Sequence, residues 1–584
     1  MLPGRRRLTA LVMVIPVLAG CHEYFIHDAD RQVHQMIAQR QQAALGETHS
    51  ADLGPEHGLI GSAGRMYDFV PHPLDSTVPE AFRPRPSEPA AASQPTTTAS
   101  QPATSQPAGE RRPFPLHEAL AYAMRDARDF QFQKEELYLT ALALSLERFL
   151  WTPQFVAEVS AEFADYGQVR DFDRAMTAVA EVSASQRLPY GGEVTARVIN
   201  TLMRDLGVHT TSGETGQFIL EADIPLFRGA GRVAYESRYQ AERNLIYAVR
   251  DFERFRREFV VQVASNYFNL LNLKAQIENA RESVKNFEHD LARSRALAED
   301  GRILRIEAER AQVELLFAQN DLVTAQVTYE NSLDRFKILI GMPTETPIEA
   351  VPEDVNLVDP QVSEEDAIAA ALRYRLDLLN DLDAVDDARR QVVIARNNLL
   401  PDFNLHGSVT LDTDPNRKNS VSYNTERTTW RGDATLEIPL QRLPERNEYR
   451  STLIDLRRAE RNYDLGKDQV RQDVRNALRD LEQARFSMEI QRRNIEVNAF
   501  RRELAREVFE KGKLTSNRDV VEAENAFRSA RNRFAQAESE YRAAILAFLR
   551  DTGTLRVADD GRWVGHDSLA TGQSPPAGSN RAPS

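Results

Sequence analysis

No glycine or proline interrupts the chain from Arg232 to Asp300, a run of 69 residues. Glycine and proline both weaken a helix, one by backbone freedom and one by its missing N–H. At 1.5 Å per residue the run makes a helix about 100 Å long. A second such run covers 445–511 with Gly466 alone intervening, and shorter ones cover 116–152, 302–340, 363–400 and 513–552. Apolar residues follow a helical stripe: Phe252, Phe255, Phe259, Val263, Tyr267 and Leu270 in the first long run. In the second, Leu453, Leu456, Tyr463, Val470, Val474, Leu478, Leu481, Met488 and Ile495 keep near-heptad spacing. This pattern predicts helices packed along their length.

The order of features repeats once. EADIPLFRGAGR (221–232) corresponds to LEIPLQRLPER (436–446), and LAEDGRILRIEAERAQ (297–312) to VFEKGKLTSNRDVVEAENAF (508–527). RFKILIGMP (335–343) corresponds to ILAFLRDTG (545–553), and LERFLWTPQFVAEVS (146–160) to IARNNLLPDFNLHGSV (394–409). Four matches in one order indicate an internal duplication, with repeats at 113–350 and 351–556. In each repeat the two shorter runs together equal about one long run. Stacked end to end beside it, they give two rows of helix per repeat and four per chain.

Between the helices the period changes to two. After Pro153, Phe155, Ala157, Val159, Ala161 and Phe163 alternate with Val156, Glu158, Ser160 and Glu162. Phe218, Leu220, Ala222 and Ile224 alternate before Pro225; Phe403, Leu405, Gly407, Val409 and Leu411 alternate after Pro401; Trp430, Gly432, Ala434, Leu436 and Ile438 alternate before Pro439. Alternation is a strand signal, and one apolar face with one polar face suits an outer-membrane strand. Proline at all four junctions stops the helix and extends the residue before it. The stretch TAVAEVSASQRLPYGGEVTARVIN (177–200) reads as an extra strand pair turning at Pro189–Gly192, with no place in the four-strand count; an extracellular flap is one option. Four strands cannot close a membrane barrel, for which eight is the usual minimum. Three copies would give twelve strands, continued by twelve rows of helix.

The ends read differently. Arg5, Arg6 and Arg7 precede an apolar stretch, Leu8–Ala19, too short to span a bilayer comfortably. The four residues Leu18-Ala19-Gly20-Cys21 resemble the bacterial lipobox, in which the signal (1–20) is cut and the cysteine acylated. By the sorting rule of such lipoproteins, His22 in place of aspartate after the cysteine points to the outer membrane. Cys21 is the only cysteine, so no intrachain disulfide can form. Residues 21–112 read as an acylated tether, with EPAAASQPTTTASQPATSQPAGE too poor in large apolar groups to order itself, and 557–584 as a disordered tail. His22, His27 and His34 read as solvated side chains rather than metal ligands.

The formal charge is −14, and −17 without the signal arginines. An acidic chain is a poor partner for nucleic acid. RGAG (228–231) lacks the full phosphate-binding glycine pattern, and no nucleophile–base or metal-ligand constellation stands out. The residues therefore suggest no enzyme, no metal and no cofactor. A periplasmic coiled-coil structural lipoprotein is the competing reading, which the four alternating segments and their prolines oppose.

The duplicated helix–hairpin–long helix–helix order, with IPLFRGAGR and GKLTSNRDVVEAENAFRSARNRF, resembles the TolC-type outer-membrane efflux channels over residues 113–556. The resemblance implies a mainly α fold with a β-barrel portion: a trimeric membrane β-barrel continued by a periplasmic α-helical barrel. It also implies the outer-membrane channel of a tripartite efflux or type I secretion system, a passive duct. Its partners would be a periplasmic adaptor protein and an inner-membrane RND or ABC pump, with membrane lipid around the barrel. DVVEA matches a family segment whose two acids narrow the mouth in some members, here Asp519 and Glu522. They lie three apart and share a helix face, although Ser516-x-x-Asp519 also has the form of a helix capping box. Phe509 and Leu514 stand where the enteric channel has the tyrosine and arginine of its closed mouth. Arg302, Ile303, Leu304, Lys513, Leu514 and Thr515, beside Gly301 and Gly512, are the adaptor-docking candidates.

Overall fold

The computed structural model describes residues 22–46, 48–49, 111–165, 174–205, 213–301, 303–353, 355, 357–414, 422–510 and 517–563. The first repeat holds β1 (Arg112–Phe114), α2 (Leu116–Asp126), α3 (Arg128–Phe149), β2 (Gln154–Asp165), β3 (Arg174–Arg187), β4 (Glu193–Asp205), β5 (Gly213–Pro225), α4 (Glu236–Glu299) and α5 (Arg305–Ile340). The second holds β6 (Ile348–Ala350), α6 (Glu364–Tyr374), α7 (Leu376–Asn397), β7 (Asp402–Thr413), β8 (Tyr423–Glu437), α8 (Leu443–Glu510) and α9 (Asn517–Asp551). Helix α1 (His22–Leu45) precedes both.

The long helices α4 and α8 run 64 and 68 residues. Helix α5 lies along α4, α9 on the other side of α4, and α8 beyond α9. Nearer the sheet the order is α3, α4, α7, α8. The protomer is therefore four helical rows wide, as the run lengths predict, with α3 and α5 on one flank and α8 on the other. Phe130 of α3 packs against Phe252 and Phe259 of α4, ring centroids 5.6 Å apart in each pair. Val470, Val474 and Leu481 of α8 are buried with Ala367 and Ala371 of α6 and Phe548 of α9. Gly466, the one glycine of α8, faces α7: a Cβ there would stand 2.9 Å from the Asp381 carboxylate.

A single extended residue breaks each pair of short helices, Ala127 (φ −66°, ψ 130°) and Arg375 (φ −71°, ψ 122°). Against each break lies a left-handed glycine that ends the last helix of the same repeat, Gly341 and Gly553. These two are the true equivalents, so the match of 335–343 to 545–553 is two residues out of register. β1 and β6, the lead-in strands, pair in parallel. The Tyr267 hydroxyl lies 2.8 Å from the Phe114 and Val351 carbonyls and ties both lead-ins to α4.

Four expectations are corrected. The extra strand pair is part of the sheet, whose order is β2-β3-β4-β5-β7-β8, so a protomer has six strands rather than four. The 21–112 segment is not all tether: α1 buries Val33, Met36 and Ile37 against α3 and α4. His34 there is half-buried, edge-on to Tyr138 at 6.0 Å, rather than solvated. Residues 557–563 of the expected tail are also packed, with Val557 buried and bridged to Trp563. Sequence missed these because they adjoin long Pro/Ser-rich stretches, and the surface that covers them comes from distant helices.

That surface includes a buried charge cluster. Glu253, Arg256 and Arg257 sit within two turns of α4, with both Nε–H groups 2.8 Å from the Glu253 carboxylate. Arg256 donates to the Val557 carbonyl and meets His49 Nε2, both at 2.8 Å. Arg257 donates to the Gly553 carbonyl at 3.2 Å. Buried charge is tolerated because each group is paired and hydrogen-bonded.

Candidate functional site

The sheet separates its side chains by chemistry. Phe155 pairs with Ala184, Ala157 with Val182 and Val159 with Ala180; this face continues through Val198, Phe218, Leu220, Val409 and Trp430. It meets no other part of the protomer among the described residues: Phe155 is 76% exposed, Val159 69% and Trp430 77%. The opposite face carries Glu158 beside Glu181, Arg197 in an ion pair with Glu221, Asp223 beside His406, and Asp433. Such a sheet suits lipid on one side and water on the other. A coiled-coil spacer has no use for it.

The four prolines stand where helix gives way to strand. Pro153 and Pro401 immediately precede β2 and β7, Pro225 ends β5, and Pro439 follows β8 by two residues. The RGAG segment is the return from β5 to α4. Gly229 and Gly231 adopt left-handed φ of +76°, and the Asn397 side chain accepts the Gly229 N–H at 2.8 Å. Its role is a junction, not a phosphate cradle.

At the far end α4 and α5 meet at Gly301 (φ +69°). Of the docking candidates there, Leu304 caps α5 in extended conformation and is 73% exposed. The Ile303 N–H reaches the Leu297 carbonyl at 3.4 Å. Arg302, Lys513, Leu514 and Thr515 lie outside the described residues, as do Cys21 and Ser516. Asp519 is exposed on the first turn of α9. Glu522, one turn on, is paired with Arg501 of α8 at 2.8 Å, both more than half exposed.

Sequence reasoning missed the buried acid beside them. Glu524 is 2% exposed, accepts from Asn286 of α4 at 2.6 Å and pairs with Arg506 of α8 at 3.1 Å. It locks three helical rows together below the turn. A pocket of about 330 Å³ opens beside it, lined by Lys285, His289, Asp290, Arg293, Arg506 and Phe509. Burial pushes the Asp290 carboxyl above its ordinary range, against the pull of Arg506. The Arg293 guanidinium lies over the Phe509 ring at 5.2 Å, a cation–π contact where the enteric-type tyrosine is missing. No described helix is long and apolar enough to cross a membrane, and no group of three His, Cys, Asp or Glu among the described residues is placed to hold a metal.

Known proteins share this architecture. The model of the family "Outer membrane efflux protein" matches residues 143–342 and 367–554, one segment in each repeat. No curated protein matches in sequence. Among solved structures, CusC is 17% identical with a TM-score of 0.56, over 80% of this chain and 99% of its own. The Campylobacter jejuni outer-membrane channel CmeC is 14% identical with a TM-score of 0.57, over 81% and 94%. The open-state Neisseria gonorrhoeae channel MtrE is 14% identical with a TM-score of 0.55, over 80% and 97%. At such identity the likeness shows the fold. The family match over more than half of the chain shows the rest: this protein belongs to the outer membrane efflux protein family, and it is an outer-membrane channel, the exit duct for substrates driven by an inner-membrane pump.

Proposed function

We propose that three copies close into one tube, anchored by acylated Cys21 in the outer membrane and docked at its helical end to a periplasmic adaptor and an RND or ABC pump. The observation that carries the trimer is that both flanks of the protomer are unfinished. Strands β2 and β8 are the two edges of the sheet, and among the described residues each leaves one side without a partner. Unpaired backbone is not tolerated in lipid. The helical flanks below them are apolar and uncovered: Phe132, Leu139 and Leu146 at intervals of seven on α3, and Ile490, Val497 and Leu504 at the same interval on α8. Ring closure joins β8 to β2 and α8 to the α3–α5 row of the next copy, which covers all of these at once.

At the helical end, Leu304 with Arg302, Ile303, Lys513, Leu514 and Thr515 form the adaptor-docking rim. Asp519 and Glu522 ring the mouth. Threefold repetition of the two acids concentrates negative charge at the mouth and favours cations there. The resemblance of the chain to the TolC type supports both roles. Light scattering of the detergent-purified full chain tests the assembly: three copies per particle is the expected result, and a monomeric particle contradicts it.

A further inference from the structure

We infer that the β3–β4 hairpin is a third of the membrane wall, giving a barrel of eighteen strands whose wide, acidic exit favours bulky cationic or uncharged solutes over polyanions. The inference rests on the trimeric reading and adds the width and charge of its exit.

The pairing excludes a flap. β3 is bonded to β2 from Gln154↔Ser185 to Asp165↔Arg174, without a register shift, and β4 to β5 from Glu193↔Asp223 to Met203↔Gly213. Strands β2 and β5, which would pair directly in a four-stranded protomer, do not touch in the sheet order. The hairpin turn also sits at the helical end. Gly192, at φ +90°, comes so close to β5 that a Cβ would meet the Asp223 carbonyl oxygen at 2.1 Å. The Gly231 N–H, at the entry to α4, donates to the Tyr190 carbonyl at 2.7 Å. A turn held at the barrel–helix junction cannot be an extracellular lid. The face rule carries through the added strands as well: Ala180 and Val182 continue the apolar face, Val179 and Glu181 the polar one.

Width then follows from geometry. Eighteen strands about 4.8 Å apart and tilted about 40° enclose a backbone circle about 36 Å across, against about 24 Å for twelve. Twelve helical rows spaced about 10 Å apart make a ring about 38 Å across. Eighteen strands therefore continue the helical tube without a funnel. The added strands also extend the acidic lining, since Glu181 lies directly across from Glu158 with no base in that register. Like charges opposite one another cost stability, and water inside a wide lumen makes that cost small.

Two variants of the full chain that each add one cysteine to Cys21, Val179→Cys and Ala180→Cys, test the wall in liposomes, with the unsubstituted chain as background for Cys21. Val179→Cys is expected to react with water-soluble methanethiosulfonates, the cationic reagent about tenfold faster than the anionic. Ala180→Cys is expected to react with neither. Equal reaction at both positions places the hairpin in water and overturns the wall; equal rates for the two reagents overturn the charge preference. A strand count in a cryo-EM map separates this inference from the one beneath it. Eighteen strands in a threefold particle support it, a threefold particle with twelve strands overturns it alone, and a particle without threefold symmetry overturns the trimer itself.

Discussion

A Cβ on Gly341 would stand 2.2 Å from the carbonyl oxygen of Asp126. This contact joins the end of α5 to the break between α2 and α3, and Gly553 makes the equivalent approach to Tyr374, with 2.9 Å to its carbonyl carbon. Both glycines also need left-handed φ, +80° and +70°. Gly341→Ala should cost at least about 2 kcal/mol, from backbone strain of about 1–2 kcal/mol and forced separation of the helices. Thermal unfolding of the variant measures it, and Gly301→Ala, with the same φ sign but open space around its Cβ, should cost less.

Glu253 answers two buried arginines, so Glu253→Gln removes the carboxylate that lies 2.8 Å from Arg257 and leaves Arg256 with the more distant Asp559 at 3.6 Å. The expected loss is about 3–5 kcal/mol, read as a lower denaturant midpoint. Removing residues 557–563 should weaken the same site by taking away the Val557 carbonyl bonded to Arg256.

Two carboxylates should respond to pH with opposite sign. Asp290 is pushed up by burial, its Oδ2 lacking a hydrogen-bond partner. The native state then holds the proton more tightly than the unfolded chain. The stability this gives is present below the ordinary aspartate range and is lost as pH rises through the raised value. Asp377 is the reverse. Burial alone would raise it, but Arg375, at 2.6 Å, more than compensates and holds it low. Its contribution is present above the ordinary range and is lost as pH falls through the lowered value. At pH 7, Asp290→Asn should therefore raise the unfolding temperature and Asp377→Asn lower it; both differences should shrink in acid.

Lipid and lumen faces should differ sharply in what they accept. Val159→Arg places a cation at the middle of β2 on the apolar face and should cost about 2–4 kcal/mol. Ser160→Arg, one residue on and facing the lumen, should assemble normally. The yield of heat-resistant oligomer from purified outer membranes compares them.

At the mouth, the double substitution Asp519→Asn with Glu522→Gln should reduce cation preference in planar bilayers, because it removes two negative charges from each copy around the pore. An unchanged preference in the double variant would remove both acids from the selectivity of the mouth.

Much of the fold is legible in the sequence because its elements are long and locally coded. The Gly/Pro-free runs become α4 and α8, and the four prolines fall at the four junctions. What was hidden depends on contacts between distant residues. Ala178, Ala180 and Val182 alternate visibly, but nothing local says that their strand lies between β2 and β5. Helix α1 precedes a long Pro/Ser/Thr-rich stretch, and the surface that buries its Val33, Met36 and Ile37 is supplied by α3 and α4, far along the chain. The pairing of Glu522 with Arg501 joins residues on two helices across a turn, and the carboxylate of Glu524 looks like one more acid in a charged helix until Asn286 and Arg506 converge on it.

The central claim is that this chain forms a hollow threefold duct. Electron microscopy of the detergent-purified mature protein, viewed end-on and side-on, tests it most directly. The account predicts a threefold tube with an open lumen and a helical barrel about 100 Å long. A solid rod or a compact monomer would contradict it.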